Sequence, residues 1–230
     1  VTTGSATLAI LVGALSGAMV AGLFGFLVLI LLSNQVATGL ALTIFGLGLS
    51  ALVGHGFVGM PFAGIPTLHI PILTDISVIG PILFGQDAMV YMSVAATIGI
   101  SWFLKRTRAG LVLRAVGENH DAAHAIGYSV IQVRFLAILF GGAMAGLGGA
   151  YLSLVYTPLW VENMTAGRGW IAIALVVFAA WRPRWAFFGA YLFGGITIIQ
   201  LHIQGIGWAI PSQLLSMLPY LVTIIVLVVI

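Results

Sequence analysis

"RAVGENHDAAHAIGYSV", residues 114–130, is a compact hydrophilic island of small, polar and charged residues. It follows an apolar run that ends at "LKR" (104–106), and "RFLAILFGGAMAGLGGAYLSL" (134–154) comes soon after it. Each flanking run is about as long as the roughly 20 residues that carry a helix across a bilayer. The contrast sets the reading of the whole chain: apolar spans joined by short polar connections.

The composition agrees. Of the 230 residues, 61% are hydrophobic and only 6% are charged. Mean hydropathy is +1.20. Soluble domains carry about 25% charged residues, so this chain cannot cover a water-facing surface and its solvent is largely lipid. The net charge of +3 comes from only eight Lys and Arg side chains. It is read as orientation in the membrane, not as a footprint for nucleic acid. There is no cysteine, which excludes a disulfide framework and thiol–metal sites.

Seven segments are candidate spans, near 8–32, 36–53, 87–104, 131–157, 168–180, 185–201 and 213–230. The fifth is short. All are expected to be helical, because an open strand leaves backbone groups unpaired in lipid. The fold class is therefore all-α: a polytopic membrane protein of about seven transmembrane helices in a single domain, 1–230. Alternating the spans puts Lys105, Arg106, Arg108, Arg114, Arg134, Arg182 and Arg184 on one side and Arg168 on the other. That asymmetry marks the richer face as cytoplasmic. It places the C-terminus inside and the first residue outside, from which earlier helices are expected to precede this sequence.

Small residues recur at every fourth position: Gly13, Gly17, Ala21 and Gly25; Gly46, Ser50 and Gly54; Gly141, Ala145 and Gly149. Such stripes let helix backbones approach closely. They are expected to pack within one bundle, with a face for a second copy as the other reading. The connection 54–86 is extracytoplasmic on this topology. Pro61, Pro66, Pro71 and Pro81 forbid a continuous helix there, yet the segment is too apolar for a solvated loop. A re-entrant or interfacial hairpin packed on the bundle is expected, acting as a lid over an outer vestibule or as a structural plug.

The centre of the island predicts one short helix. Asn119 is a good N-cap, Asp121 suits the positive helix start, and Gly127 supplies a left-handed C-terminal position. About seven helical residues are marginal alone in water, so the helix needs a surface to dock on, either its own bundle or a cytosolic partner.

The island, the run 134–154 and "ENMTAGRGWIAIALVVFA" (162–179) together resemble the permease subunits of bacterial ABC importers, in the branched-chain amino acid and simple-sugar group. "NQVATGLALTIFGLGLSALVG" (34–54) and "SQLLSMLPYLVTIIVLV" (212–228) are similar to its nucleoside and simple-sugar branch. The resemblance implies that the cytoplasmic loop 105–130 holds a coupling helix, with Gly117, Glu118, Asn119, Ala122, Ala123 and Gly127 at the matching positions. Where the family often has proline, this chain has His120. The resemblance further implies a cytosolic ABC ATPase that holds ATP and Mg, a second permease copy or paralogue, an extracytoplasmic substrate-binding lipoprotein, and a place in the bacterial inner membrane. It also implies more helices at the N-terminus. Closure of two ATPase subunits would push on the island, tilt the third and fourth spans, and switch access between the two sides. The only lysine, Lys105, is followed by Arg106, so the chain has no GxxxxGK[ST] phosphate loop of its own. No cofactor is expected on this chain.

Polar residues at membrane depth are candidates for a pathway. Asn34, Gln35 and Gln200 are the ones expected to line it, and nucleosides or simple sugars the cargo, with branched-chain amino acids as the alternative. Glu162 and Arg168, six apart across "NMTAG", are read as a structural clamp. His120 and His124 share a helix face but lack a third ligand nearby, so no metal site is expected. A gradient-driven transporter or channel would call for charges inside the spans. Asp75, Asp87, Glu118, Asp121 and Glu162 all fall in loops or at span ends. No HExxH or GxSxG motif occurs, and no catalytic residue is assigned.

Overall fold

The computed structural model describes residues 5–62, 64–68, 84–165 and 167–206, with isolated positions beyond. Eight α-helices are described. They are α1 (Ala6–Gly25), α2 (Gln35–Gly54), α3 (Ala88–Arg106), α4 (Arg108–Glu118), α5 (His120–Ala125), α6 (Val130–Tyr151), α7 (Arg168–Phe178) and α8 (Pro183–Gly205). Single π-helical turns extend α1 over Phe26–Ile30 and α6 over Leu152–Tyr156. No strand occurs among the described residues, only three isolated bridges. Counting these extensions and the 3₁₀ turn that continues α2, five helices among the described residues are long and apolar enough to cross a membrane: Ala6–Ile30, Gln35–Phe57, Ala88–Arg106, Val130–Tyr156 and Pro183–Gly205. The protein is an all-α, multi-pass membrane protein.

The predicted fifth span appears as α7, whose 11 residues reach only about half of the bilayer core at 1.5 Å per residue. The predicted seventh span, 213–230, lies largely outside the described residues. Large apolar side chains along the spans are exposed, Val12, Met19, Ile44 and Leu52 among them, as lipid-facing surfaces require.

The described residues fall into two compact units. The first comprises residues up to Ser93 together with Arg106–Thr165; the second comprises Val94–Lys105 and the chain from Ala166 onward. In the first unit α1 and α6 form the tightest seam. A Cβ added at Gly17 would strike the Gly142 carbonyl and come within 2.8 Å of the Gly146 Cα. One added at Gly13 would sit 2.9 Å from the Ala150 Cβ, and one at Gly146 would strike the Gly13 carbonyl. The stripe expected on α1 is thus the contact, and the packing lies within one chain. On α6 the expectation is corrected. The seam uses Gly142, Gly146 and Ala150, one residue along from Gly141, Ala145 and Gly149. Nothing lies within 4 Å of a Cβ at Gly141 or Gly149. The adjacent small residues at 141–142, 145–146 and 149–150 write two neighbouring stripes into one helix, and spacing alone does not choose between them.

Part of the connection 54–86 is described, and it packs on its own unit. The Gly59 N–H donates to the Trp160 carbonyl at 3.3 Å and the Phe62 N–H to the Pro158 carbonyl at 2.8 Å. Residues 63 and 69–83, with Pro71 and Pro81, lie outside the described residues.

Candidate coupling site

The island is built by two helices joined at one residue. Thr107 opens the first: its hydroxyl accepts the Gly110 N–H at 3.0 Å, and α4 then runs from Arg108 to Glu118. The sequence reading missed α4. Its signals are present in the sequence, namely the Thr cap and the apolar positions Leu111, Val112, Ala115 and Val116 at helical spacing. Lys105, Arg106 and Arg108 around its start, and Arg114 within it, masked them.

Asn119 ends α4 and starts α5. Its backbone is extended, with φ −149° and ψ 98°. Its N–H donates to the Ala115 carbonyl at 2.9 Å, while its side-chain oxygen accepts the Ala122 N–H at 3.0 Å. The N-cap role expected of Asn119 is observed. His120 stands in the first helical position, and the helix starts there without proline. Asp121 lies in the first turn, where a negative charge suits the helix start. At the far end Gly127 takes φ 93°. Its N–H donates to the His124 carbonyl at 2.9 Å, and the Tyr128 N–H donates to the Ala123 carbonyl at 3.1 Å. These bonds satisfy carbonyls that the helix end leaves open.

Burial divides α5 into two faces. Ala123 is 2% exposed, and on α4 Val116 is 1% exposed. These two side chains hold the short helices to their own unit, where α5 lies against both α4 and the start of α6. Ala123 thus faces inward. The other face carries Ala122, Ala125 and Ile126, all exposed, and Ile126 is 72% exposed. Gly117, Glu118 and Asn119 are exposed as well. The island folds back on its bundle by one side and presents a shallow face of small and aliphatic residues on the other.

Outside the island, Asn34 caps α2. Its side-chain oxygen accepts the Val36 and Ala37 N–H groups, both at 3.0 Å, so that atom is committed to the helix start. Gln35 is exposed beside it, and Gln200 is half-buried on α8. Glu162 is exposed, and Arg168 opens α7 after Gly167, whose φ is 74°. Among the described residues no three His, Asp or Glu side chains gather as metal ligands. In the first unit a cavity of about 300 Å³ opens between α1, α2 and the end of α6. Phe57, Met60 and Phe62 of the 54–86 connection wall it on one side, and Ser50, Ser153 and Trp160 on another. The sequence reading missed this cavity, since its walls come from segments far apart in the chain.

A family model described as the branched-chain amino acid transport system / permease component matches residues 2–227. The chain belongs to this family. Three relatives carry names that narrow it. A putative glucose ABC transporter permease protein, TsgC13, of Haloferax volcanii is 39% identical over 98% of this chain and 75% of its own length. The nucleoside ABC transporter permease protein NupC of Lactococcus lactis subsp. cremoris is 33% identical over 96% of this chain and 72% of its own. The guanosine ABC transporter permease protein NupQ of Bacillus subtilis is 29% identical over 85% of this chain and 64% of its own. No solved structure matches. The chain is thus a permease subunit of an ABC transporter, a transport component and not an enzyme. Permeases of this kind work with an ATPase and a substrate-binding protein. Membership closes the gradient-driven alternative.

Proposed function

We propose that this permease forms the translocation pathway for a nucleoside or a simple sugar, and that α5 is its mechanical contact with the ATPase. The substrate class is supported by the names of TsgC13, NupC and NupQ. Both cargoes are polyhydroxylated rings that need hydrogen-bond donors and acceptors along the path. Gln35, Gln200 and the free amide nitrogen of Asn34 supply some, and Glu162 with Arg168 serves as a clamp on the outer loop.

The observation that carries the coupling role is the division of α5 into a face held by Ala123 and a face left open around Ala122 and Ile126. A short helix fixed on one side to two longer helices transmits a push. The same helix free in water would melt. The positive charges support an interior location for this loop and for the C-terminus, in a bacterial cell membrane. The ATPase would hold ATP and Mg, a second permease copy or paralogue would complete the pathway, and a lipoprotein outside would deliver the cargo.

The experiment uses the natural lack of cysteine. A single Cys replaces Ala122 in the full-length permease and another is placed in the facing groove of the ATPase encoded beside it. A disulfide whose yield changes with ATP supports the coupling role. No crosslink at Ala122, Ala125 or Ile126 in a properly inserted protein rules it out. Uptake of labelled guanosine and glucose, each competed by the other, then separates the two cargoes.

A further inference from the structure

The turn between α7 and α8, "FAAWRPRWAFF" (178–188), is not used by the coupling site. It belongs to the second unit. Two consecutive residues without glycine's freedom hold left-handed backbone there: Ala180 at φ 46° and Trp181 at φ 59°. Such a conformation costs about 1–2 kcal/mol per residue, and the turn is pinned by the Trp181 N–H donating to the Val176 carbonyl at 3.3 Å and the Arg182 N–H to the Ala179 carbonyl at 2.9 Å. The result is to push Trp181 outward. Its side chain is 80% exposed, beside the exposed Trp185 and Phe188.

Arg182 and Arg184 flank these rings. Among the described residues neither guanidinium has an ion-pair partner, and no acidic side chain occurs between Arg168 and the end of the sequence. Phe178, Ala179, Ala180, Arg182 and Trp185 line a concavity of about 240 Å³. One wall is apolar and the rim is cationic. That is the form of a site for a group with a negative head on a greasy stem.

The depth of the turn decides the occupant. Only four residues, 179–182, separate the ends of α7 and α8. At about 3.5 Å per residue, out and back, they rise roughly 7 Å above the helix ends. The headgroup layer on each side of a bilayer is about as thick, half the difference between roughly 40–45 Å overall and 30 Å of hydrocarbon. α8, with 23 residues, is long enough to cross the core, so its start at Pro183 marks the hydrocarbon boundary, and the turn stays among headgroups, where tryptophan rings settle. The loop that carries α4 and α5 is long enough to emerge. The geometry points to the Arg182–Trp185 turn as a binding site for an anionic phospholipid: the two guanidiniums take the phosphodiester, and Trp181, Trp185 and Phe188 take the glycerol and upper acyl region. The site does not depend on which side of the membrane the turn occupies.

The test is tryptophan quenching in nanodiscs that hold the full-length permease. Brominated phosphatidylglycerol and brominated phosphatidylcholine are titrated separately into a phosphatidylcholine background. The reading is the emission lost in W181F/W185F relative to the unaltered protein. The anionic lipid is expected to reach half-maximal quenching at a mole fraction about thirtyfold lower, the size expected of two basic side chains at about 1 kcal/mol each. R182K/R184K keeps that preference and R182Q/R184Q loses it, with unchanged amounts of inserted protein. Equal half-maximal fractions for the two lipids would overturn the proposal. So would a preference that survives R182Q/R184Q, or an R182Q/R184Q protein that releases its ATPase while its lipid preference stays as it was, because the turn would then be a protein contact.

Discussion

The Ala122 N–H donates to the side-chain oxygen of Asn119 at 3.0 Å, and the same Asn119 gives its own N–H to the preceding helix. One residue therefore closes α4 and opens α5. The angle between the two helices, and with it the aim of the exposed face, hangs on that side chain. Replacing Asn119 by Ala removes the cap at a cost of about 0.5–2 kcal/mol, a large share of what holds so short a helix. Uptake by N119A is expected to fall severalfold while membrane abundance stays close to normal. N119D and N119S keep a capping oxygen and are expected to keep most of the activity. Uptake assays alongside immunoblots of the membrane fraction check both.

Ala122 and Ala123 are adjacent and equal in the sequence, but the first is exposed and the second buried. A122E places a charge on the open face, where a surface substitution changes stability by less than about 0.5 kcal/mol. It is expected to abolish uptake and to leave the protein inserted and as heat-stable as before. A123L overfills a position that is 2% exposed, at about 1–3 kcal/mol. It is expected to lower the amount and melting temperature of the protein. Equal behaviour of the two variants would mean that α5 does not present the face described.

Five of the seven expected spans were legible because lipid demands long apolar runs and leaves little choice of structure. The cap at Asn119 and the left-handed Gly127 were legible because each depends on one residue's local chemistry. Which side of α5 faces the bundle was not, since "DAAHA" has no apolar stripe to orient it. The register of the α1–α6 seam was hidden by the adjacent small residues. The cavity between α1, α2 and the end of α6 was invisible because Ser50, Phe57 and Trp160 meet only through the fold. α4 was missed for another reason: its arginines outweighed its spacing.

The seam itself gives a direct comparison. Gly17 lies against the backbone of Gly142 and Gly146, whereas Gly141 has open space around it. G17L is expected to force α1 and α6 apart, costing about 1–3 kcal/mol or more. G141L is expected to be nearly neutral for the isolated chain. Thermal unfolding in detergent, followed by loss of soluble monomer, separates them. If G141L leaves stability intact but abolishes uptake, the uncovered stripe contacts another subunit in the assembled transporter.

Gly127 supplies the last check, because it tests the end of α5 without touching its exposed face. Its φ of 93° lies where a side chain is disfavoured by roughly 1–2 kcal/mol. No atom lies within 4 Å of an added Cβ, so any effect of G127A comes from the backbone alone and not from a clash. G127A is expected to fray the bonds from the Gly127 and Tyr128 N–H groups and to slow uptake, and G127N, which tolerates left-handed backbone better, to recover part of the loss. Hydrogen exchange at the Tyr128 amide gives the structural readout: faster in G127A, intermediate in G127N. If both variants exchange and transport as the unaltered protein does, the left-handed turn is not what holds α5 in place, and the start of α6 at Ser129 must fix it instead.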